Sequence, residues 1–123
     1  MTIGEASRRT GLPESTLRYY EKRGLLRAAR DGGGRRDYGE EDVAWIQFLR
    51  RLKETGMPLG DIRRYADLRA SGDASLAERL EMLRVHREYV LEQRRRWEGF
   101  LNKLEAKIAL YEQTVRDRSG GPA

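Results

Sequence analysis

Gly11-Leu12-Pro13-Glu14-Ser15-Thr16-Leu17-Arg18-Tyr19-Tyr20 decides how the first third of the chain is read. Gly11 stops whatever helix precedes it, and Pro13 stands where a new helix tolerates a missing N–H. The segment therefore predicts a helix, a tight turn and a second helix over about Glu14 to Arg23, ending at Gly24. Working backward, Thr2-Ile3-Gly4-Glu5 has the spacing of a capping box, in which the Thr2 hydroxyl accepts from the backbone of residue 5 while Glu5 reaches back to that of residue 2. A short first helix starts there. In the second helix Leu17 and Tyr20, with Leu25 beyond, share an inward phase. Ser15, Thr16, Arg18, Tyr19, Lys22 and Arg23 are left on faces open to a partner.

Working forward, the stretch from Arg27 to Tyr38 contains Gly32-Gly33-Gly34, too much glycine for a helix interior and well suited to a hairpin tip. It reads as a two-stranded wing whose second strand delivers Arg35, Arg36 and Tyr38, successive side chains projecting to opposite faces. Glu40-Glu41-Asp42 supplies the acidic first turn of a third helix, roughly 41–55, with Val43, Trp45, Ile46, Leu49 and Leu52 as its apolar stripe. Gly56 closes it. Met57-Pro58-Leu59 opens a fourth helix to about Arg69, and Ser71-Gly72-Asp73 breaks the chain again.

From Leu76 the period changes. Apolar residues recur at spacings of four and three: Leu76, Leu80, Leu83, Val90, Trp97, Leu101, Leu104, Ile108, Tyr111 and Val115, with Arg87 and Arg94 completing the seam. That pattern selects a coiled coil, a rod of roughly 60 Å. One such helix cannot bury its own stripe, so an identical partner is expected. The two seam arginines set the direction. Parallel pairing would place each against its own copy, whereas antiparallel pairing centred between residues 95 and 96 sets Arg94 beside the other chain's Trp97. The expected organisation is a head over 1–70, a dimerisation helix over 74–116 and a disordered tail over 117–123.

Composition narrows the function. The net charge of +5 is concentrated, because residues 1–39 carry nine Lys/Arg against five Asp/Glu while the remainder is nearly balanced. A basic segment on a balanced protein suits a phosphate-backbone partner. The absence of cysteine removes disulfides, thiolate metal sites and thiol redox sensing, and the one histidine, His86, cannot form a cluster. No metal and no cofactor are expected. No apolar run is long enough for a membrane span, and the first residues lack a signal-peptide pattern, so a cytoplasmic, nucleoid-associated protein is expected. Glu40-Glu41-Asp42 has no nucleophile or base beside it, and the glycines follow no βαβ pattern, so an enzyme is not expected.

Five fragments in order, Thr2-Ile3-Gly4-Glu5-Ala6, Leu17-Arg18-Tyr19-Tyr20-Glu21, Gly24-Leu25-Leu26, Arg35-Arg36-Asp37-Tyr38 and Gly56-Met57-Pro58-Leu59-Gly60-Asp61-Ile62, resemble the MerR family of bacterial transcription regulators. The resemblance covers about residues 1–115. It implies a mainly α fold, a winged helix-turn-helix DNA-binding head followed by a long antiparallel coiled-coil helix. The second helix would enter the major groove with Ser15, Thr16, Arg18 and Tyr19, and the wing would grip the flanking backbone with Arg36 and Tyr38. Arg35 stands where the family often has an aromatic residue. Thr2, Tyr20 and Lys22 complete the DNA-facing set, with Tyr20 also eligible for the core through its inward phase.

The partners implied are double-stranded promoter DNA, a second copy of the chain, and RNA polymerase indirectly at the promoter. Metal- and thiol-sensing members use cysteines that this chain lacks, and no further ligand-binding domain is expected after residue 115. A small apolar or cationic effector held between the coiled coil and the partner's DNA-binding head, with Met57, Tyr65, Met82 and Tyr89 contributing, is the alternative to no effector at all. The competing function is a structural or adaptor protein whose basic head binds DNA without regulating transcription.

Overall fold

The computed structural model describes residues 1–120. The chain forms helix α1 (Ile3–Thr10), α2 (Glu14–Lys22), strands β1 (Ala29–Arg30) and β2 (Arg36–Asp37), α3 (Glu40–Glu54), α4 (Leu59–Ala70), a 3-10 turn (Asp73–Ser75) and α5 (Leu76–Ser119). It is mainly helical, with one small antiparallel sheet pairing Ala29 with Asp37 and Arg30 with Arg36.

Local chemistry sets these boundaries. At α1 only the Thr2 half of the expected box is made, its hydroxyl accepting from Glu5 N at 3.2 Å. Gly11, at φ 73°, gives the left-handed residue that ends the helix. Helices α2 and α3 also end at a glycine with positive φ, but through a pair of bonds. Leu25 N donates to Tyr20 O and Gly24 N to Glu21 O; Met57 N donates to Leu52 O and Gly56 N to Lys53 O. This double bond pattern requires a residue with positive φ, here glycine, and a hydrophobic residue next to it. That neighbour is Leu25 in one case and Met57 in the other, both buried.

By packing, the chain divides after Arg84. In the first unit α1 packs on α2 and α3, and α3 on α4. The core holds Ala6, Leu17, Tyr20, Leu25, Leu26 and Tyr38 with Trp45, Ile46, Leu49, Leu52, Met57, Ile62 and Tyr65. Every apolar position expected on the stripe of α3 is buried. Trp45 ties the layers together, donating Nε1 to Leu25 O at 2.8 Å and stacking on Tyr65 with ring centres 5.5 Å apart. Met82 and Leu83, early in α5, pack against this core. The second unit consists of the rest of α5.

Two expectations are corrected. Residues 117–119 are helical, since α5 continues through Ser119, beyond the last seam residue Val115; positions 121–123 lie outside the described residues. Arg35 falls in the hairpin tip, because the second strand begins at Arg36. Among the described residues, no helix is long and apolar enough to cross a membrane.

Candidate nucleic-acid interface

Helix α2 presents its polar residues as its periodicity requires. Ser15, Arg18, Tyr19 and Lys22 are exposed and Thr16 is half-buried, while Leu17 and Tyr20 turn into the core. Arg18 is only loosely held, its guanidinium 4.0 Å from Glu14 one turn earlier, which leaves its donors available for a planar acceptor pair. Tyr19 is steadied from the following turn, where Arg23 lies 5.4 Å over the ring and donates Nε to the hydroxyl at 3.2 Å. Thr2 is exposed at the start of α1 with its hydroxyl engaged as the helix cap.

The wing is built on Asp31. Its Oδ1 accepts from Gly33 N at 2.9 Å and Arg35 N at 3.0 Å, and its own N–H donates to Arg35 O. Gly34 closes the tip at φ 80° with open space around it. This small loop displays Arg35, while the register places Arg30 across from Arg36. Neither Arg30 nor Arg35 has an ion pair among the described residues. Of the wing and recognition-helix cations, Arg30 and Arg35 are thus unpaired among the described residues, Arg18 is loosely held and Arg36 is engaged by Glu21.

Two residues of the expected DNA-facing set lie in the core, Tyr38 against expectation and Tyr20 as its inward phase allowed. Tyr20 and Tyr38 are 3% and 1% exposed, with rings in the core, so neither is presented to a partner. Burial raises both phenols above the ordinary tyrosine value, and for Tyr38 the hydrogen bond to Glu21 adds to that. The Tyr38 hydroxyl donates to Glu21 Oε1 at 2.7 Å and Arg36 Nε donates to Glu21 Oε2 at 2.6 Å. One carboxylate of α2 therefore joins the wing to the helix. Glu21 was missed in the sequence, although a carboxylate in the last turn of a helix, where the dipole disfavours it, signals a partner elsewhere. Arg30 was missed too; its place mirrors that of Arg36 about the glycine tip.

On α5, Leu76, Leu80, Trp97, Leu101, Leu104, Ile108 and Tyr111 are exposed and Val90 is half-buried. Leu83 is drawn against the head's core, which takes it partly out of the seam. Arg94 faces Glu98 at 3.6 Å on its own helix. The four residues expected around an effector differ in setting. Met57 and Tyr65 are core residues, Met82 packs on that core, and Tyr89 is exposed on the second unit. No group of three or more metal-ligating side chains occurs among the described residues.

Comparison with known proteins agrees with this geometry. The family model described as MerR HTH family regulatory protein matches residues 1–68, and one described as MerR, DNA binding matches residues 43–107. An HTH-type transcriptional regulator of Haemophilus influenzae is 36% identical over 113 residues, covering 91% of this chain and 84% of that protein. The structure of a MerR family transcriptional regulator from Listeria monocytogenes superposes with a TM-score of 0.90 at 30% identity, over 98% of this chain and 92% of that one. HiNmlR, a MerR family regulator lacking the sensor domain and bound to promoter DNA, gives a TM-score of 0.81 at 36% identity, over 91% and 90%.

Proposed function

The chain belongs to the MerR family of helix-turn-helix regulators, and from that premise we propose that it binds a near-palindromic promoter operator as a homodimer and distorts it to control transcription. It acts by binding rather than by catalysis, on the DNA of the cytoplasm. The observation that carries this reading is the exposed polar face of α2, with Arg18 free to reach a base edge, joined through Glu21 to a basic wing. A helix of this kind reads the major groove while the wing holds the backbone. HiNmlR, described as lacking the sensor domain and bound to promoter DNA, supports promoter DNA as the partner. Bending or untwisting the operator costs about 1–6 kcal/mol, so deformability adds sequence preference at positions no side chain touches.

Two substitutions test the division of labour. Arg18→Ala should weaken binding to the preferred duplex by about 1–3 kcal/mol and relax preference at one base position. Arg36→Ala should weaken binding to all sequences alike and make the salt dependence shallower by about one phosphate contact. Equal losses on preferred and random DNA for both variants would contradict the assignment of reader and clamp, and would favour the adaptor reading.

A further inference from the structure

Glu21 is an anomaly on a surface meant for a polyanion. It stands one turn beyond Arg18 on the reading helix, in a last turn where both the helix dipole and approaching phosphates disfavour a carboxylate. Its side chain is nevertheless only 14% exposed, and each oxygen is used by the wing, one by Arg36 and one by Tyr38.

We propose that Glu21 is a positioning residue for DNA binding: it holds the Arg36 guanidinium, and with it the wing, in the orientation that grips a backbone phosphate, so that an acidic side chain on the reading helix strengthens the complex. This rests on the reading of α2 and the wing as the DNA interface. The geometry supports it from three sides. Tyr38 is a fixed point, its ring buried and its N–H donating to Met1 O at 2.8 Å, so the carboxylate bridges a buried anchor and a partly exposed arginine. Arg36 spends only Nε on Glu21 and remains 29% exposed, which leaves the outer edge of its fork for a phosphate while its orientation is already fixed. The wing has two paired residues per strand, and a hairpin that short has little placement of its own without such an anchor.

The sign of one substitution separates positioning from plain charge. Glu21→Gln removes a negative charge from the DNA side, so electrostatics alone calls for tighter binding; positioning calls for weaker. The test uses the full chain, a duplex enriched by the wild-type protein from a random-sequence pool, and a scrambled duplex, with affinity measured across a salt series. Glu21→Gln should bind the enriched duplex about tenfold more weakly, with a salt dependence shallower by about one contact. Added to Arg36→Ala it should change nothing further, and phosphate ethylation should cease to interfere at the same flanking phosphate in both variants. Arg36→Lys keeps the charge but lacks the fork, and should show the same loss even where Glu21→Gln folds poorly. Tyr38→Phe keeps the carboxylate–arginine pair but removes one of the two bonds that hold the carboxylate, and should weaken binding by less than Glu21→Gln does. Equal or tighter binding by Glu21→Gln, additive losses in the double variant, or undiminished binding by Arg36→Lys would overturn the proposal. If the wild-type protein enriches no duplex, it is the DNA-reading function that fails instead.

Discussion

Tyr20 and Tyr38 keep their protons more firmly than an exposed phenol, chiefly because both are buried and, for Tyr38, because its hydroxyl also donates to Glu21. An unfolded tyrosine ionises near pH 10. With folded values raised above that, their contribution to stability is fully present below about pH 10 and is lost as the pH rises through the folded range. We therefore expect Tyr20 and Tyr38 to ionise only together with loss of the helical circular-dichroism signal. Tyrosinate absorbance that Tyr20→Phe or Tyr38→Phe removes from a still-folded protein would contradict this. Tyr20 was legible from its phase with Leu17. Tyr38 was not, because an exposed hairpin gives no periodic signal that one ring turns back into the core, and the family resemblance pointed outward.

Among the elements, boundaries were legible wherever glycine or proline punctuates the chain, since positive φ and a missing N–H act locally. Gly24 shows what this is worth: at φ 74° a Cβ would meet Arg63 only at an ordinary 3.7 Å, so the cost of alanine there is conformational rather than steric. Gly24→Ala should lower stability by about 1–2 kcal/mol in denaturant titration. Gly32→Ala, at a position without positive φ and with nothing within 4 Å, should leave the midpoint unchanged. Equal effects at the two sites would contradict the account of the caps. The 3-10 turn was not legible, because it is held by Ser75, whose hydroxyl donates to Leu68 O and Gly72 O. A single side chain bonding back to the main chain leaves no pattern in a sequence. The extension of α5 to Ser119 escaped for a related reason: an apolar seam ends where contacts end, but the backbone helix runs on to the next glycine.

At the scale of the whole molecule, a helix of 44 residues leaves Trp97 72% exposed, and with it Leu101, Leu104 and Ile108. Apolar surface of that extent on one face calls for a second copy. Its melting temperature should accordingly rise with protein concentration. The chain has no cysteine of its own, so introduced pairs report cleanly on direction. Arg94→Cys in one chain should crosslink to Trp97→Cys in the other, whereas efficient Leu76-to-Leu76 crosslinking through Leu76→Cys would mean a parallel pair. Antiparallel pairing also suits a dyad-symmetric operator, which leads to the most direct measurement. Incubated with a pool of random duplexes, the wild-type dimer should enrich one inverted repeat and protect its two halves together in a footprint. Enrichment of no motif, or of a single unrepeated half-site bound by one chain, would contradict a dimeric, sequence-reading regulator.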